Sequence, residues 1–270
     1  MARIQELFIY PLKSARGIAQ SSVRLGSTGL EWDRHWMAID ALGTFISQRT
    51  HPKLAQITPE ITADCLVLTA PNLPPLRLPL EPCGQSISVK VWDDRCTGLD
   101  QGDDAAEWVS AAVGDALRLV RQAPLLDRFA NPQYAGPHPV QVSFADGFPL
   151  LVCNRSSLAD LNGRMAVPIP MNRFRPNVVL TGLEPFEEDH IEALQIGEIT
   201  LRLVKPCTRC VITATDQLTG ERATNPLPVL RKFRFDRTLL GVAFGENALI
   251  DTGFGLSLVR GADCVTVRSA

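Results

Sequence analysis

Lys205-Pro206-Cys207-Thr208-Arg209-Cys210, running directly into Val211-Ile212-Thr213-Ala214-Thr215-Asp216, is the stretch that decides how this chain reads. It places two thiols and two permanent cations within six residues. A redox pair of the thioredoxin kind stands at the start of a helix, where the dipole favours the thiolate. Here Val211, Ile212, Thr213 and Thr215 favour a strand instead, and Asp216 to Gly220 reads as a turn. The pair is therefore expected at a strand end of a β fold. A thiolate is the nucleophile and metal ligand that a thiol is not, and neighbouring Lys and Arg lower a thiol's pKa. One of the two cysteines is expected to carry the chemistry while its neighbour is structural. Two buried core cysteines are the plain alternative, because free Cys is often interior. Half of a structural zinc site would need a second ligand pair. No second CxxC exists, and His35, His51, His138 and His190 are scattered.

Working outward, the chain alternates between short apolar runs and Gly- or Pro-containing breaks. Leu7-Phe8-Ile9-Tyr10 stops at Pro11, and Trp36 to Asp40 stops at a turn. Ser86-Ile87-Ser88-Val89-Lys90-Val91 alternates as a half-buried strand does. Leu117 to Val120, Asn177 to Leu180, Ile199 to Val204 and Cys264 to Val267 are further strands, and Pro149 to Cys153 is an apolar run. Two stretches read as helix. Asp104 is placed to cap a run that ends at Gly114, with Glu107 three residues on. A shorter run lies near Ser156 to Asn162. Residues 131–139, rich in Pro and Gly, read as a linker or mobile loop. Gly253-Phe254-Gly255 lacks the third glycine and the context of a dinucleotide fingerprint. There is no P-loop and no Gly-x-Ser-x-Gly elbow. The fold class is mainly β (β-barrel, α+β), with two or three short helices.

Composition narrows the function classes. With 270 residues the chain is long enough for a large core or two domains. Its formal net charge of −2 gives no electrostatic case for nucleic acid. Seven widely spaced cysteines, an odd count, together with a start lacking an apolar segment, lead to the expectation of reduced thiols in a cytoplasmic protein. No apolar run approaches the length of a membrane span, so no membrane partner is expected. Several cations sit in turns beside small hydrogen-bonding residues: Lys13-Ser14, Arg34, Arg173, Arg175 and Arg209. Each alone reads as a solvated charge. Together with a thiolate they suggest an anionic, heteroatom-rich ligand, since Arg and Lys hold phosphate by charge-assisted hydrogen bonds.

A set of stretches resembles the MOSC-domain proteins with their N-terminal β-barrel domain, in particular the amidoxime-reducing components and their bacterial counterparts. They are Tyr10-Pro11-Leu12-Lys13-Ser14, Asp33-Arg34-His35-Trp36, Ser157 to Asn162, Phe174-Arg175-Pro176-Asn177, Cys207-Thr208-Arg209-Cys210 and Thr215 to Gly220. Any one is weak. They occur in family order over nearly the whole chain, and the ordered set is specific.

The resemblance implies an N-terminal MOSC β-barrel domain over 1–122 and a MOSC domain over 123–270. It implies a molybdenum cofactor (molybdenum–molybdopterin) whose metal is bound by Cys210. Lys13, Ser14, Arg34, Arg175, Asn177 and Thr208 match the family's pterin and phosphate residues. Asn247 stands where the amidoxime reducers tend to carry a tyrosine near the metal, and it is a further cofactor-binding candidate. A soft thiolate suits a redox-active transition metal. The implied activity is reduction of N-hydroxylated or N-oxide small molecules. Electrons would come from a separate flavoprotein or iron–sulfur protein, because the chain lacks the clustered cysteines of an appended ferredoxin domain. The alternative from the same thiol and cations is a sulfur carrier with a persulfide on Cys210, or a cofactor-delivery module without turnover. A third reading is a structural β domain with unreactive cysteines.

Overall fold

The computed structural model describes residues 1–125 and 127–268. Leu126 lies outside the described residues, as do Ser269 and Ala270, the last two positions of the 123–270 region. The barrel and the two larger N-terminal sheets are built, in chain order, from β1 (Ala2–Ile9), β2 (Trp36–Ile39), β3 (Thr58–Ile61), β4 (Cys65–Thr69), β5 (Leu76–Pro79), β6 (Gln85–Val91), β7 (Asp94–Asp100), β8 (Arg118–Gln122), β9 (Leu150–Asn154), β10 (Val178–Thr181), β11 (Ile191–Ile196), β12 (Ile199–Thr208), β13 (Gly241–Thr252) and β14 (Asp263–Arg268). Among the described residues four α-helices accompany them: α1 (Asp103–Val113), α2 (Pro132–Ala135), α3 (Arg155–Gly163) and α4 (Leu227–Arg231).

The barrel is closed. Its order is β9-β10-β1-β14-β11-β12-β13, and β13 returns to β9 through Leu150↔Ala248, Leu151↔Asn247 and Val152↔Glu246. Closure removes the unpaired edges that an open sheet exposes. β1 sits inside this barrel, antiparallel to both β10 and β14. The first strand of the chain thus completes a barrel made otherwise from its second half. Ile4, Leu7, Val152, Leu180, Leu194, Leu201 and Ile250 meet in its core. Beyond β1 the chain leaves the barrel and forms a four-stranded sheet, β2-β8-β7-β6, and a three-stranded sheet, β3-β4-β5. Their shared core is built on Trp36, Leu54, Leu66, Leu68, Trp108 and Leu119.

Apart from the stretch after Cys210, the strands read from the sequence are present, and both helical runs are helices. Four details differ. α1 starts at Asp103 with Gly102 as its N-cap, so Asp104 lies in the first turn instead of capping. No side-chain cap bond forms at this helix start, and the Asp100 carboxylate accepts from the Gly102 N–H just ahead of it at 2.8 Å. Within 131–139 the short helix α2 forms, because the Asn131 side chain accepts from the Gln133 N–H. β12 continues through Pro206, which the ladder tolerates because its register shifts on either side of that residue. The fourth concerns Val211 to Ala214, which is a 3-10 turn and not a strand. Its backbone is captured locally: the Thr213 N–H and hydroxyl both donate to the Cys210 carbonyl, at 3.1 and 2.9 Å. Such back-bonding competes with a β ladder and overrides residue preference. Among the described residues no helix is long and apolar enough to cross a membrane.

Candidate functional site

The turn after β1 begins with Pro11 and carries Lys13 and Ser14 to the place where the N-terminal sheets meet the barrel wall. Three other parts of the chain arrive there: Arg34 from the turn before β2, Arg175 and Asn177 from the approach to β10, and the end of β12 facing Asn247 on β13. These segments enclose one cleft. Lys13, Ser14, Arg34, Arg175, Asn177, Thr208, Cys210 and Asn247 all line it.

Cys210 lies two residues past the end of β12, with extended backbone, as the N-cap of the 211–214 turn. It is partly buried, and all seven cysteines are free thiols. Two contacts fix the turn that presents it. The Arg209 N–H donates to the Val242 carbonyl at 2.8 Å. The buried Arg173 guanidinium donates to the Ala214 carbonyl and to the Asp216 carboxylate, at 2.8 and 2.9 Å. Arg173 therefore positions the cysteine turn and does not serve as a ligand cation. Lys205 also stands apart. Its ammonium lies 4.8 Å from the Tyr134 ring centre, in a different hollow.

Of the cations in the opening stretch, Arg209 reaches Cys207. Its Nη1 donates to the Cys207 sulfur at 2.8 Å, and its Nη2 donates to the Phe174 carbonyl at 2.6 Å. The expected lowering of the thiol pKa does not follow at Cys207. Burial raises that pKa, and the Arg209 charge opposes the rise without reversing it. Cys207 is thus a half-buried thiol of the cleft wall, held against a guanidinium. Behind it, Glu246 is 4% exposed and faces Pro206 across the ladder. Burial, with Asp189 and Glu188 adding repulsion, raises the Glu246 pKa to about 9.

The basic wall is braced from beneath. Arg34 donates to Asp33, to Asn177 Oδ1 at 3.1 Å and to the Arg175 carbonyl at 3.3 Å. Arg175 donates to the Ala15 carbonyl at 2.6 Å and to Gln217 Oε1 at 3.3 Å. Asn177 donates to the Phe8 carbonyl and accepts from the Leu151 N–H, so its amide ties β1 to β9 as well as facing the cleft. Lys13 donates to the Phe144 carbonyl at 2.8 Å and pairs with Asp146 at 2.5 Å. Burial lowers the Lys13 pKa, with the Asp146 carboxylate opposing. Arg175 falls to about 10, chiefly through burial, with the Arg34 charge adding to the fall.

The backbone carries its own signature. Ser14, Arg34, Trp92 and Arg175 all line the cleft and have φ of 68°, 54°, 57° and 57°. Left-handed backbone costs a non-glycine residue about 1–2 kcal/mol. Such strain gathers where a surrounding structure over-determines it, as at ligand clamps.

The lining set can be tested against a molybdenum–pterin group. Lys13, Arg34, Arg49, Arg175 and Arg209 line the cleft against one lining carboxylate, Asp146. Among the described residues Arg175 forms no ion pair, and the buried Arg209 Nε has no partner. Asp33 pairs with Arg34, so Arg175 is a cleft cation left for an external anion to meet. Among the described residues no group of three or more His, Cys, Asp or Glu side chains is placed to hold a metal. A metal here would have to arrive with ligands of its own, and the lining offers it the thiols of Cys207 and Cys210. The donor set fits an anionic, metal-bearing cofactor.

Sequence reasoning missed Arg49, Trp92 and Asp146 as cleft residues. Arg49 stacks on Trp92, 4.2 Å from its ring centre, and Trp92 donates to Asp146 at 3.2 Å. These residues come from three loops with no motif of their own. The one available signal was the turn-like Asp146-Gly147 just before the apolar run that became β9.

Comparison with known proteins adds an independent line. Residues 1–116 match the family described as MOSC N-terminal beta barrel domain, and residues 139–258 match the MOSC domain. The chain is 34% identical over 244 residues to mitochondrial amidoxime reducing component 2 of Bos taurus, covering 86% of this chain and 72% of that protein. It is 32% identical over 263 residues to mitochondrial amidoxime-reducing component 1 of Mus musculus, covering 94% and 77%. It is also 29% identical over 267 residues to molybdenum cofactor sulfurase of Bos taurus, covering 91% of this chain but 30% of that longer protein.

Proposed function

The chain belongs to the MOSC family, and from that premise we propose that it is a molybdenum-cofactor-binding reductase in which Cys210 supplies the protein's thiolate to the metal. The observation that carries this reading is the convergence of the Cys210 thiol with Lys13, Arg34 and Arg175 on one cleft. A soft thiolate and a set of cations are the two things that such a cofactor needs from a protein: a ligand for a redox-active metal and counter-charge for a phosphate.

When bound, the molybdenum–molybdopterin group supplies the oxygen-atom and electron chemistry. The chain's own residues do the rest. Lys13, Ser14, Arg34, Arg175 and Thr208 hold the phosphate and pterin. Arg175 and Arg34 are pre-positioned on Tyr10, so little ordering is left for the moment of binding. Arg173 and Thr213 fix the turn behind Cys210. Asn177 binds the two halves of the cleft wall together, and Asn247 contributes an amide on the β13 side. The substrates are N-hydroxylated or N-oxide small molecules. Reduction of an N-hydroxyl group takes up electrons and protons and releases water, and the electrons come from a separate flavoprotein or iron–sulfur protein. The likeness to two amidoxime-reducing components over most of their length supports this class of substrate.

The likeness to a molybdenum cofactor sulfurase favours a second reading, in which the cleft carries or delivers the cofactor without turnover. One experiment separates the two. Protein purified from a molybdenum-competent host is supplied with a chemical reductant and an N-hydroxylated amidine. Turnover that depends on the metal content of the preparation supports the reductase. Full metal occupancy with no turnover on N-hydroxylated or N-oxide compounds supports the carrier.

A further inference from the structure

The turn from Trp32 to Trp36 serves two cavities. Arg34 reaches the cofactor cleft, while Trp32 and His35 line a second cavity of about 490 Å³. The two cavities share no lining residue. Arg121 lines the second one, on β8 directly opposite Trp36.

Arg121 is 6% exposed. Its guanidinium carbon lies 5.3 Å from the Trp36 ring centre and 5.9 Å from that of Trp32. Its Nε and Nη1 are buried and have no hydrogen-bond partner. Among the described residues it forms no ion pair. Glu81 and the Cys83 thiol are the groups whose charge acts on it, and neither is bonded to it. Burying a charge without a paired, hydrogen-bonded partner is among the costliest things a fold can do. A native buried polar group left without a partner calls for an explanation.

Arg121 is not alone. His35 Nδ1 and Gln122 Oε1 beside it are also buried without partners. Burial, with the Arg121 charge adding, pushes the His35 pKa down to about 3, so its ring stays neutral. A neutral imidazole offers one donor and one acceptor. Arg121 and Gln122 thus line the cavity while holding buried polar atoms that no protein group meets. Its remaining wall includes the apolar faces of Leu25, Leu30, Trp32 and Phe254. A concave apolar site with a few convergent polar groups, in this size range, is the usual form of a small-molecule site.

We propose that this cavity is a second binding site, for a small planar carboxylate, with Arg121 as its anion anchor. A carboxylate fits better than a phosphate. One planar guanidinium matches a carboxylate in a two-pronged geometry. A doubly charged phosphate would face one interior cation, since the other lining arginine, Arg24, is exposed and the Glu31 carboxylate is also on the lining. The flat aromatic wall adds a surface for a ring.

The test uses the whole protein and benzoate as the probe, read as a thermal-unfolding shift, with benzamide as the uncharged control. Two variants carry the decision, because the cofactor cleft is also cationic. Arg121→Met removes the interior charge while keeping the packing volume. Ser27→Phe leaves Arg121 in place and plugs the exposed lining of the cavity. A ligand that binds only the folded state raises its melting temperature in a concentration-dependent, saturating way. The expected result is such a rise with benzoate and none with benzamide in the parent protein, and loss of the rise in both variants. No benzoate-dependent rise in the parent, or an undiminished rise in both variants, would overturn the assignment.

Discussion

The Arg34 guanidinium carbon lies 4.3 Å from the Tyr10 ring centre, and Arg175 approaches the same ring at the same distance. One aromatic residue at the end of β1 therefore holds two cations of the cleft. Its hydroxyl donates to the Pro176 carbonyl at 3.0 Å, next to Arg175 in the chain. Burial raises the Tyr10 pKa, so the hydroxyl keeps its proton and the ring stays neutral. Tyr10 is a positioning residue: it touches two arginines that line the cleft.

Replacing Tyr10 tests that role. Tyr10→Phe loses one hydrogen bond, about 0.5–1.5 kcal/mol of stability, and is expected to keep the cofactor. Tyr10→Leu removes the ring face from both guanidinium groups, roughly 0.5–2 kcal/mol for each contact. It is expected to lower molybdopterin retention as well as stability. Urea unfolding and pterin content after gel filtration give the two readouts.

The cations themselves should matter for retention. Arg34→Ala or Arg175→Ala is expected to weaken pterin binding by about 1.5–3 kcal/mol, the range for a lost hydrogen bond to a charged group. Retention unchanged in both variants would show that the phosphate lies elsewhere.

At Ser14 stability and function should separate. Its φ of 68° suits glycine, so Ser14→Gly is expected to relieve about 1 kcal/mol of backbone strain. The same change removes a hydroxyl from the cleft. The expected outcome is a higher unfolding midpoint together with poorer cofactor retention, measured on the same preparation.

Glu246 gives a pH signature. An acid raised from 4.5 to about 9 keeps its proton in the folded state where the unfolded chain has released it. Between those values the folded state binds more protons, so this group's contribution to stability falls as pH rises. The slope is at most about 1.4 kcal/mol per pH unit. Glu246→Gln, neutral at every pH, should flatten the fall and be the more stable protein in the alkaline half of that window. Chemical unfolding across the window checks it. A stability difference, parent minus Glu246→Gln, that rises over the same range would contradict the sign.

The sequence made the strands, the two main helical runs and the basic turns legible because each rests on a local pattern: alternation at Ser86 to Val91, a glycine stop at Gly114, cations beside Ser14 and Thr208. Their meeting in one cleft was legible only through the ordered family motifs. What stayed hidden depends on contacts far apart in the chain. Thr213 looks like a strand residue, yet its hydroxyl bonds back to Cys210 and makes a turn. Arg209 sits between the two cysteines in sequence, and only the fold aims it at Cys207. Asp146, Arg49 and Trp92 carry no motif, so nothing local marks them as neighbours of Lys13. Gly245 is a further case. At φ 75°, any Cβ there would meet the Cys153 sulfur at 2.6 Å, so only glycine lets β13 pass β9 at that point.

The two cysteines decide the central claim. Cys207→Ala leaves the Arg209 Nη1 without its sulfur partner and is expected to cost about 1–3 kcal/mol of stability while keeping the metal. Cys210→Ala removes the other cleft thiol, the one not held against Arg209. The most direct measurement is molybdenum and pterin per protein in these two variants and the parent, all purified from the same molybdenum-competent host. The account predicts metal retained in Cys207→Ala and lost in Cys210→Ala. Metal at the parent level in Cys210→Ala, or lost only in Cys207→Ala, would contradict it.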